Sequence, residues 1–350
     1  MPSPEAPRSG EGAIAAQFGM DGAMAERSIR FTLTVMAPIA LTMITGPQSW
    51  LLYAIVAAIV AFAGDAGGPP LARLGWMATG PAALALGLVL GSLAIGHAPF
   101  VIILSMTAGL LYGLVETAHP HLLLATRFFA FGIVLAGLVS PAIAIDYWAI
   151  AAMLLFAWAL SLALDLGDRK LRPLNVPGWA EVMPSIERAV PNRWLFAASV
   201  ALAIGLALVI TELTGSVRPS WACLTILMVL RSEITSSVRL AIERVVGTFG
   251  GVLVAVLIGH YAEHRTLVIA MGIAAFVRWP AQQVHNALGV FCLTVFVLLM
   301  IELSTTDHAM ASILLKERLT DTLIGAIAAG IGVGFYDLAR SLIDKRRSKA

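Results

Sequence analysis

The sequence contains few charged residues and almost no cysteine. Asp, Glu, Lys and Arg make up only 13% of its 350 residues, against roughly 25% in a soluble domain. The two cysteines, Cys223 and Cys292, both lie inside apolar segments, so we expect neither a disulfide framework nor a cysteine-based metal site. The net charge of +2 is too small to indicate a nucleic-acid partner.

Catalytic and nucleotide-binding motifs are also missing. The sequence has no Walker loop, nucleophile elbow, HExxH pair or dinucleotide fingerprint. His119-Pro120-His121, with only Glu116 nearby, is a weak metal signal and favours a loop cap. We therefore expect a protein that is not an enzyme and has no cofactor. Any active transport would use an ion gradient or a partner.

Apolar residues dominate the sequence instead. They make up 59% of it, and the mean hydropathy is +0.87. The long stretch from Phe31 to Leu164 carries few charges, namely Asp65, Arg73, Glu116, Arg127 and Asp146. A water-soluble fold could not hide so much apolar surface, whereas helices that span a bilayer can expose it to lipid.

The apolar runs predict an all-α integral membrane protein with about 12 transmembrane helices. The predicted spans are 29–46, 49–64, 72–96, 98–116, 121–140, 147–166, 193–213, 219–232, 238–259, 265–280, 284–302 and 311–337. We divide the chain into a cytoplasmic tail (1–27), a six-helix repeat (28–166), a cytoplasmic linker (167–192), a second six-helix repeat (193–338) and a basic tail (339–350).

An internal repeat is indicated by matched residues in the two halves. When Trp50 is laid on Trp221, Arg73 falls on Arg244 and Gly80 falls on Gly251. Six spans return the chain to its starting side, so the two repeats would be parallel. Most of the 23 Lys and Arg residues then lie on one side, which predicts cytoplasmic termini. The sidedness of Lys316 and Arg318 stays open.

Arg73 and Arg244 are the leading candidates for binding. Each is expected at the cytoplasmic start of the third helix of its half, followed by small residues that could open a cavity. A buried guanidinium there could bind a carboxylate through two hydrogen bonds. The alternative is an anchor whose charged group reaches the membrane surface. Arg278 has a similar pair of interpretations, as a functional group within the membrane or as a helix end cap.

Two tryptophans and two acids complete the candidates from the residues alone. Trp50 and Trp221 open the two short spans; they either sit at the headgroup level or line a substrate path. Asp321 and Glu233 are candidates for ion coupling. The alternative for Asp321 is an ion pair with a neighbouring base. Further along, Arg239 and Glu243 are spaced to pair on a helix.

The second half resembles the fusaric acid resistance–like group, which includes the aromatic acid exporters. The resemblance is carried by a Trp-initiated helix, an Arg-x-x-Gly-Thr-x-x-Gly helix, an Arg before a Leu-Thr helix and an Arg-Leu-x-x-Thr-x-x-Gly helix. The matching residues are Trp221, Arg244, Gly247, Thr248, Gly251, Arg278, Leu293, Thr294, Arg318, Leu319, Thr322 and Gly325. It implies substrate-binding roles for the arginines and for Thr248 and Thr294.

Residues and resemblance together predict an exporter of small organic anions in the bacterial inner membrane. The substrates implied are aromatic carboxylic acids or related toxic compounds, with efflux driven by an ion gradient. The resemblance also implies a periplasmic membrane-fusion adaptor, and a homo-oligomer is a further expectation. The alternatives are a passive organic-anion channel and a multi-pass membrane enzyme acting on lipids. The sequence does not separate exporter from channel.

Overall fold

The computed structural model describes residues 22–45, 49–116, 118–138, 147–167, 171–176, 178–187, 192–216, 219–232, 234–304 and 308–347, and the regular structure within them is helical. In this part of the chain, ten helices are long and apolar enough to cross a membrane, and two further apolar helices are shorter. The predicted all-α membrane fold is confirmed. Each predicted apolar segment coincides with one helix, and the two predicted short segments form the two short helices.

The first set of helices ends before the linker. It consists of α1 (Gly22–Thr45), α2 (Ser49–Ala63), α3 (Pro70–Leu93), α4 (Ala98–Val115), α5 (Pro120–Gly137) and α6 (Tyr147–Gly167). The linker contains a 3-10 turn (Trp179–Glu181) and a short helix, α7 (Val182–Glu187).

The second set follows the linker. It consists of α8 (Arg193–Thr214), α9 (Ser220–Val229), α10 (Ile234–Tyr261), α11 (His264–Val284), α12 (Asn286–Ser304) and α13 (His308–Arg347). The short helices α2 and α9 therefore occupy the same place in their respective sets.

Local sequence explains how α5 begins. The His119 side chain accepts a hydrogen bond from the backbone N–H of His121 (3.2 Å) at the helix start. Pro120 occupies the first turn, where no backbone N–H is needed. The predicted loop cap at His119-Pro120-His121 is thus confirmed.

Glycines allow the tightest helix crossings. At the crossing of α3 and α5, a Cβ on Gly132 would lie 2.7 Å from the backbone oxygen of Leu84. Where α10 meets α12, a Cβ on Gly251 would lie 2.7 Å from the Cβ of Thr294. Real side chains do not approach so closely, so these helices need glycine to pack at this distance. The small residues that follow Arg244 thus form a packing face of α10 against α12.

The two sets of helices pack by the same scheme. In the first set α1 contacts α2 and α6, α2 contacts α3 and α6, α3 contacts α5 and α6, and α4 contacts α5. In the second set α8 contacts α9 and α13, α9 contacts α10 and α13, α10 contacts α12 and α13, and α11 contacts α12. The sets join through α4 with α8 and, reciprocally, through α11 with α1. Helix α9 also contacts α5 of the first set.

Candidate functional site

Arg73 lies in a closed network of ion pairs. Its side chain is fully buried (0% exposed). The guanidinium donates to both carboxylate oxygens of Asp65 (2.7 and 2.9 Å), to Asp165 (2.7 Å) and to the Ser161 hydroxyl (2.7 Å). Each guanidinium nitrogen thus donates to a carboxylate or a hydroxyl, and this geometry favours a structural role for Arg73.

Two further arginines complete this network. Arg30 on α1 pairs with Asp165 (2.5 Å), and Arg172 of the linker pairs with Asp65 (2.5 Å). The backbone oxygen of Arg172 accepts a hydrogen bond from Gly68 (2.9 Å). The cavity beside the network has a volume of about 10 Å³, enough for a single water molecule. The network ties the linker to α1, α3 and α6, and an organic anion does not fit beside it.

Arg318 has a very different environment. It is buried (4% exposed), and its guanidinium carbon lies 3.7 Å from the centre of the Trp221 ring. Within the described part of the chain, its Nε and Nη1 atoms have no hydrogen-bond partner. The close approach depends on Gly325, because a Cβ there would lie 2.6 Å from the Ala222 backbone oxygen of α9. Arg318 and Gly325 of the Arg-Leu-x-x-Thr-x-x-Gly motif therefore both contribute to the contact between α13 and α9.

Arg244 lies next to Arg318. It is buried (6% exposed), and its Nε donates to the Thr225 hydroxyl one turn after Trp221 (3.3 Å). The two guanidinium groups are close enough for their charges to repel. Arg73 lies in the first turn of α3, whereas Arg244 lies well inside α10. The prediction that Arg244 lies at the start of its helix is therefore wrong.

Two further arginines and a tyrosine extend this cluster toward the other end of α9. The charge of Arg127 on α5 acts on Arg244. The Tyr112 hydroxyl accepts hydrogen bonds from Arg231 (2.8 Å) and Arg127 (3.5 Å) and donates to the Leu227 backbone oxygen (2.8 Å). Arg127 also lines a cavity of about 120 Å³.

We call Arg318, Arg244, Arg127 and Arg231 the arginine ladder. It follows α9, whose ten residues span about 15 Å. Arg127 and Arg231 were not among the predicted site residues, because Arg127 belongs to the first half and Arg231 lies at the very end of its predicted span. The small residues that let α9 approach α13 were the available signal for this convergence.

Polar groups of the second half surround the ladder. Thr248, one turn after Arg244, is fully buried and its hydroxyl has no hydrogen-bond partner. Asp321 is 1% exposed and accepts hydrogen bonds from the Ser216 hydroxyl (2.9 and 3.0 Å). Its charge acts on Arg318, although among the described residues the two form no direct ion pair.

The remaining predicted residues lie elsewhere. Arg278 packs against Phe31 and Trp279 on the seam between α1 and α11. Thr294 packs against Gly251 where α10 crosses α12. Glu233 and the side chain of Trp50 fall outside the described residues.

The predicted pair on α10 is present, with Arg239 Nε 2.7 Å from Glu243 Oε1. Glu243 also accepts a hydrogen bond from the Asn286 side chain (2.9 Å). This pair is separate from the ladder and links α10 to the start of α12.

Residues 192–332 match the family model described as fusaric acid resistance protein-like. This segment of the chain is similar to that family. Comparison with curated proteins and with solved structures gives no match. The family segment contains Trp221, Arg244, Arg318 and Asp321, so it carries most of the site. Together with the apolar helices, the match identifies a multi-pass membrane protein of the transporter kind.

Proposed function

We propose that this fusaric acid resistance protein-like chain exports small organic anions, aromatic carboxylates in particular, and that the arginine ladder is its binding path. The observation that carries the proposal is the buried guanidinium of Arg318, which has donors without partners among the residues that the structure describes. A buried, unpaired charge costs several kcal/mol. A bound carboxylate would accept those hydrogen bonds and neutralise the charge.

The charges along the path favour anions over other solutes. The ladder brings together four guanidinium groups, and Asp321 is the carboxylate whose charge acts on Arg318. In a passage of low dielectric constant, the electric field of the charges that line it selects the sign of the permeating ion. The Trp221 ring supplies an aromatic surface beside the first guanidinium. A carboxylate joined to an aromatic ring would match both groups.

We also propose that the helices form two parallel six-helix repeats with both termini in the cytoplasm of a bacterial cell. The matching packing schemes of the two sets support the repeat. The basic residues of the linker and the C-terminal segment support the orientation. In this arrangement the two halves have diverged, because Arg73 is neutralised by aspartates while Arg244 is not.

A transporter fits the geometry better than an enzyme acting on lipids. Such an enzyme would need acids or histidines clustered around a reacting group. The acids of the Arg73 network, Asp65 and Asp165, are instead bonded to arginines. Asp321 is our candidate for proton coupling because it is buried next to Arg318. A periplasmic adaptor and a homo-oligomer belong to this proposal as expectations.

Flux through proteoliposomes tests the proposal. We expect benzoate to cross, and benzylamine, its cationic analogue, to be excluded. Arg318→Gln and Arg244→Gln should each lower benzoate flux by about tenfold or more, since each removes a charge-assisted contact. Arg340→Gln on the same helix as Arg318, half-exposed and far along α13, is the matched control and should retain flux.

Unchanged benzoate flux in both ladder variants would refute the proposed path. An imposed pH gradient distinguishes the two transport modes. Accumulation of benzoate against its own gradient, lost in Asp321→Asn, indicates a coupled exporter. Flux that only follows the benzoate gradient indicates a channel.

A further inference from the structure

A second cationic cluster lies on the seam between α1 and α11. The guanidinium carbon of Arg27 lies 3.8 Å from the centre of the Trp279 ring, and that of Arg278 lies 4.3 Å from the same ring. Arg278 also lies 4.9 Å from the centre of the Phe31 ring. The two guanidinium groups are close enough for their charges to repel. We call Arg27, Arg278 and Trp279 the seam cluster.

Donors of the seam cluster lack acceptors among the described residues. There, Arg278 Nε and the Trp279 indole nitrogen are buried without a hydrogen-bond partner. In the described part of the chain, neither Arg27 nor Arg278 forms an ion pair. Glu26, the adjacent acid, is bonded to Arg30 (2.6 Å). Buried donors next to two like charges favour the binding of an anion.

The position of the cluster indicates where this anion comes from. Arg27 is exposed and lies in the second turn of α1, and Arg278 lies in the last two turns of α11. Both are therefore near the end of the bundle that carries the linker and the Arg73 network. On α11, Ile273 and Val277 are large apolar side chains exposed on the outer surface (59% and 41%). The cluster thus lies beside an apolar outer surface, near one end of the bundle.

We propose that the seam cluster binds the phosphate group of an anionic phospholipid in the leaflet on the linker side. Two guanidinium groups and an indole N–H supply converging donors for phosphate oxygens, and the acyl chains would lie along the exposed apolar face of α11. The site joins α1 to α11, so a bound lipid would hold the two halves together at this seam. It is distinct from the arginine ladder and does not depend on the transport proposal.

Native mass spectrometry of the full chain released from nanodiscs tests this site. We expect the wild-type chain to retain phosphatidylglycerol, and phosphatidylcholine to be lost under the same activation. Arg278→Gln and Arg27→Gln should each reduce retained phosphatidylglycerol by about tenfold. Trp279→Phe keeps the ring, removes the indole donor and should give a smaller reduction. Arg265→Gln, exposed at the opposite end of α11, is the matched control and should match the wild type.

Two outcomes would overturn the proposal. Equal retention of phosphatidylglycerol in the wild type and in both arginine variants, with all three chains monodisperse, would remove the site. Displacement of the lipid by millimolar inorganic phosphate would assign the cluster to a soluble phosphate instead. Should Arg278→Gln fail to fold, Arg27→Gln and Trp279→Phe still test the site, the first at an exposed residue and the second with a smaller aromatic ring that lacks the indole N–H.

Discussion

Two buried guanidinium groups in this protein have opposite chemical situations. Arg73 is surrounded by Asp65, Asp165 and Ser161, which use its hydrogen-bond donors. Arg318 faces an indole ring and a second arginine, and two of its nitrogens have no acceptor in the described ranges of the chain. The acceptors around an arginine, and not its burial, decide whether it can hold a ligand.

The Arg73 network predicts a large loss of stability when one acid is removed. Asp165→Asn leaves Arg73 and Arg30 without half of their buried counter-charge. We expect a destabilisation of about 3–5 kcal/mol, seen as a lower melting temperature in detergent. Asp344→Asn, an exposed acid on α13, is the control and should change stability by no more than about 0.5 kcal/mol. Equal melting temperatures for the two variants would contradict a structural network.

The stacking of Arg318 on Trp221 predicts an optical signal for ligand binding. A carboxylate that binds Arg318 should shift the guanidinium relative to the ring, because two charge-assisted hydrogen bonds would compete with the buried cation–π contact. Benzoate should therefore change tryptophan emission, and Trp221→Phe should remove the change. Trp194→Phe, an exposed residue on α8, should leave it intact. A signal that survives in Trp221→Phe would place the ligand elsewhere.

At the scale of elements, the helix crossings depend on individual glycines. Gly325→Ala would place a Cβ against the backbone of α9, so α9 and α13 would have to separate. We expect a loss of about 1–3 kcal/mol and reduced benzoate flux, because Arg318 would move away from Arg244. Melting temperature and flux measured on one preparation check both effects.

Gly330, on the same helix, provides the comparison. No atom lies within 4 Å of a Cβ placed there, so Gly330→Ala should be neutral or should stabilise the helix by about 0.5–1 kcal/mol. The prediction fails if the two alanine variants behave alike.

Most of the helices could be predicted from the sequence, and most of their contacts could not. Runs of apolar residues reveal each helix because lipid requires long apolar segments. The same property hides the partners, since nearly every face of such a helix is apolar. Asp165 is an example: it stands at the end of α6, and nothing local shows that it meets Arg73 across the bundle.

Only part of the candidate site could be predicted, because the sequence does not show which helices contact each other. Arg244, Arg318 and Trp221 follow from the motifs of the second half, and the structure brings them together. Arg127 joins them from the first half through the contact of α5 with α9. A contact between distant segments leaves no spacing in the sequence, so motif analysis cannot find it.

At the scale of the whole molecule, the proposed orientation predicts which exposed positions react with a reagent added to each side of the membrane. A cysteine at Arg340, exposed near the end of α13, should react with a membrane-impermeant maleimide only in inside-out vesicles. A cysteine at Glu263, exposed between α10 and α11, should react in intact cells. The native Cys223 and Cys292 are buried (0% and 6% exposed) and should give little background. Labelling of both sites from one side would contradict the twelve-helix arrangement.

Arg73 is neutralised by aspartates, whereas Arg244 forms no ion pair among the described residues. This difference also has a kinetic consequence. A symmetric pair of binding units would show two occupancies and interaction between them. In the proposed arrangement only the unit that contains Arg244 binds substrate, so substrate should saturate a single class of sites. The initial rate of benzoate uptake should then follow a simple hyperbola in benzoate concentration, and sigmoidal behaviour should be absent.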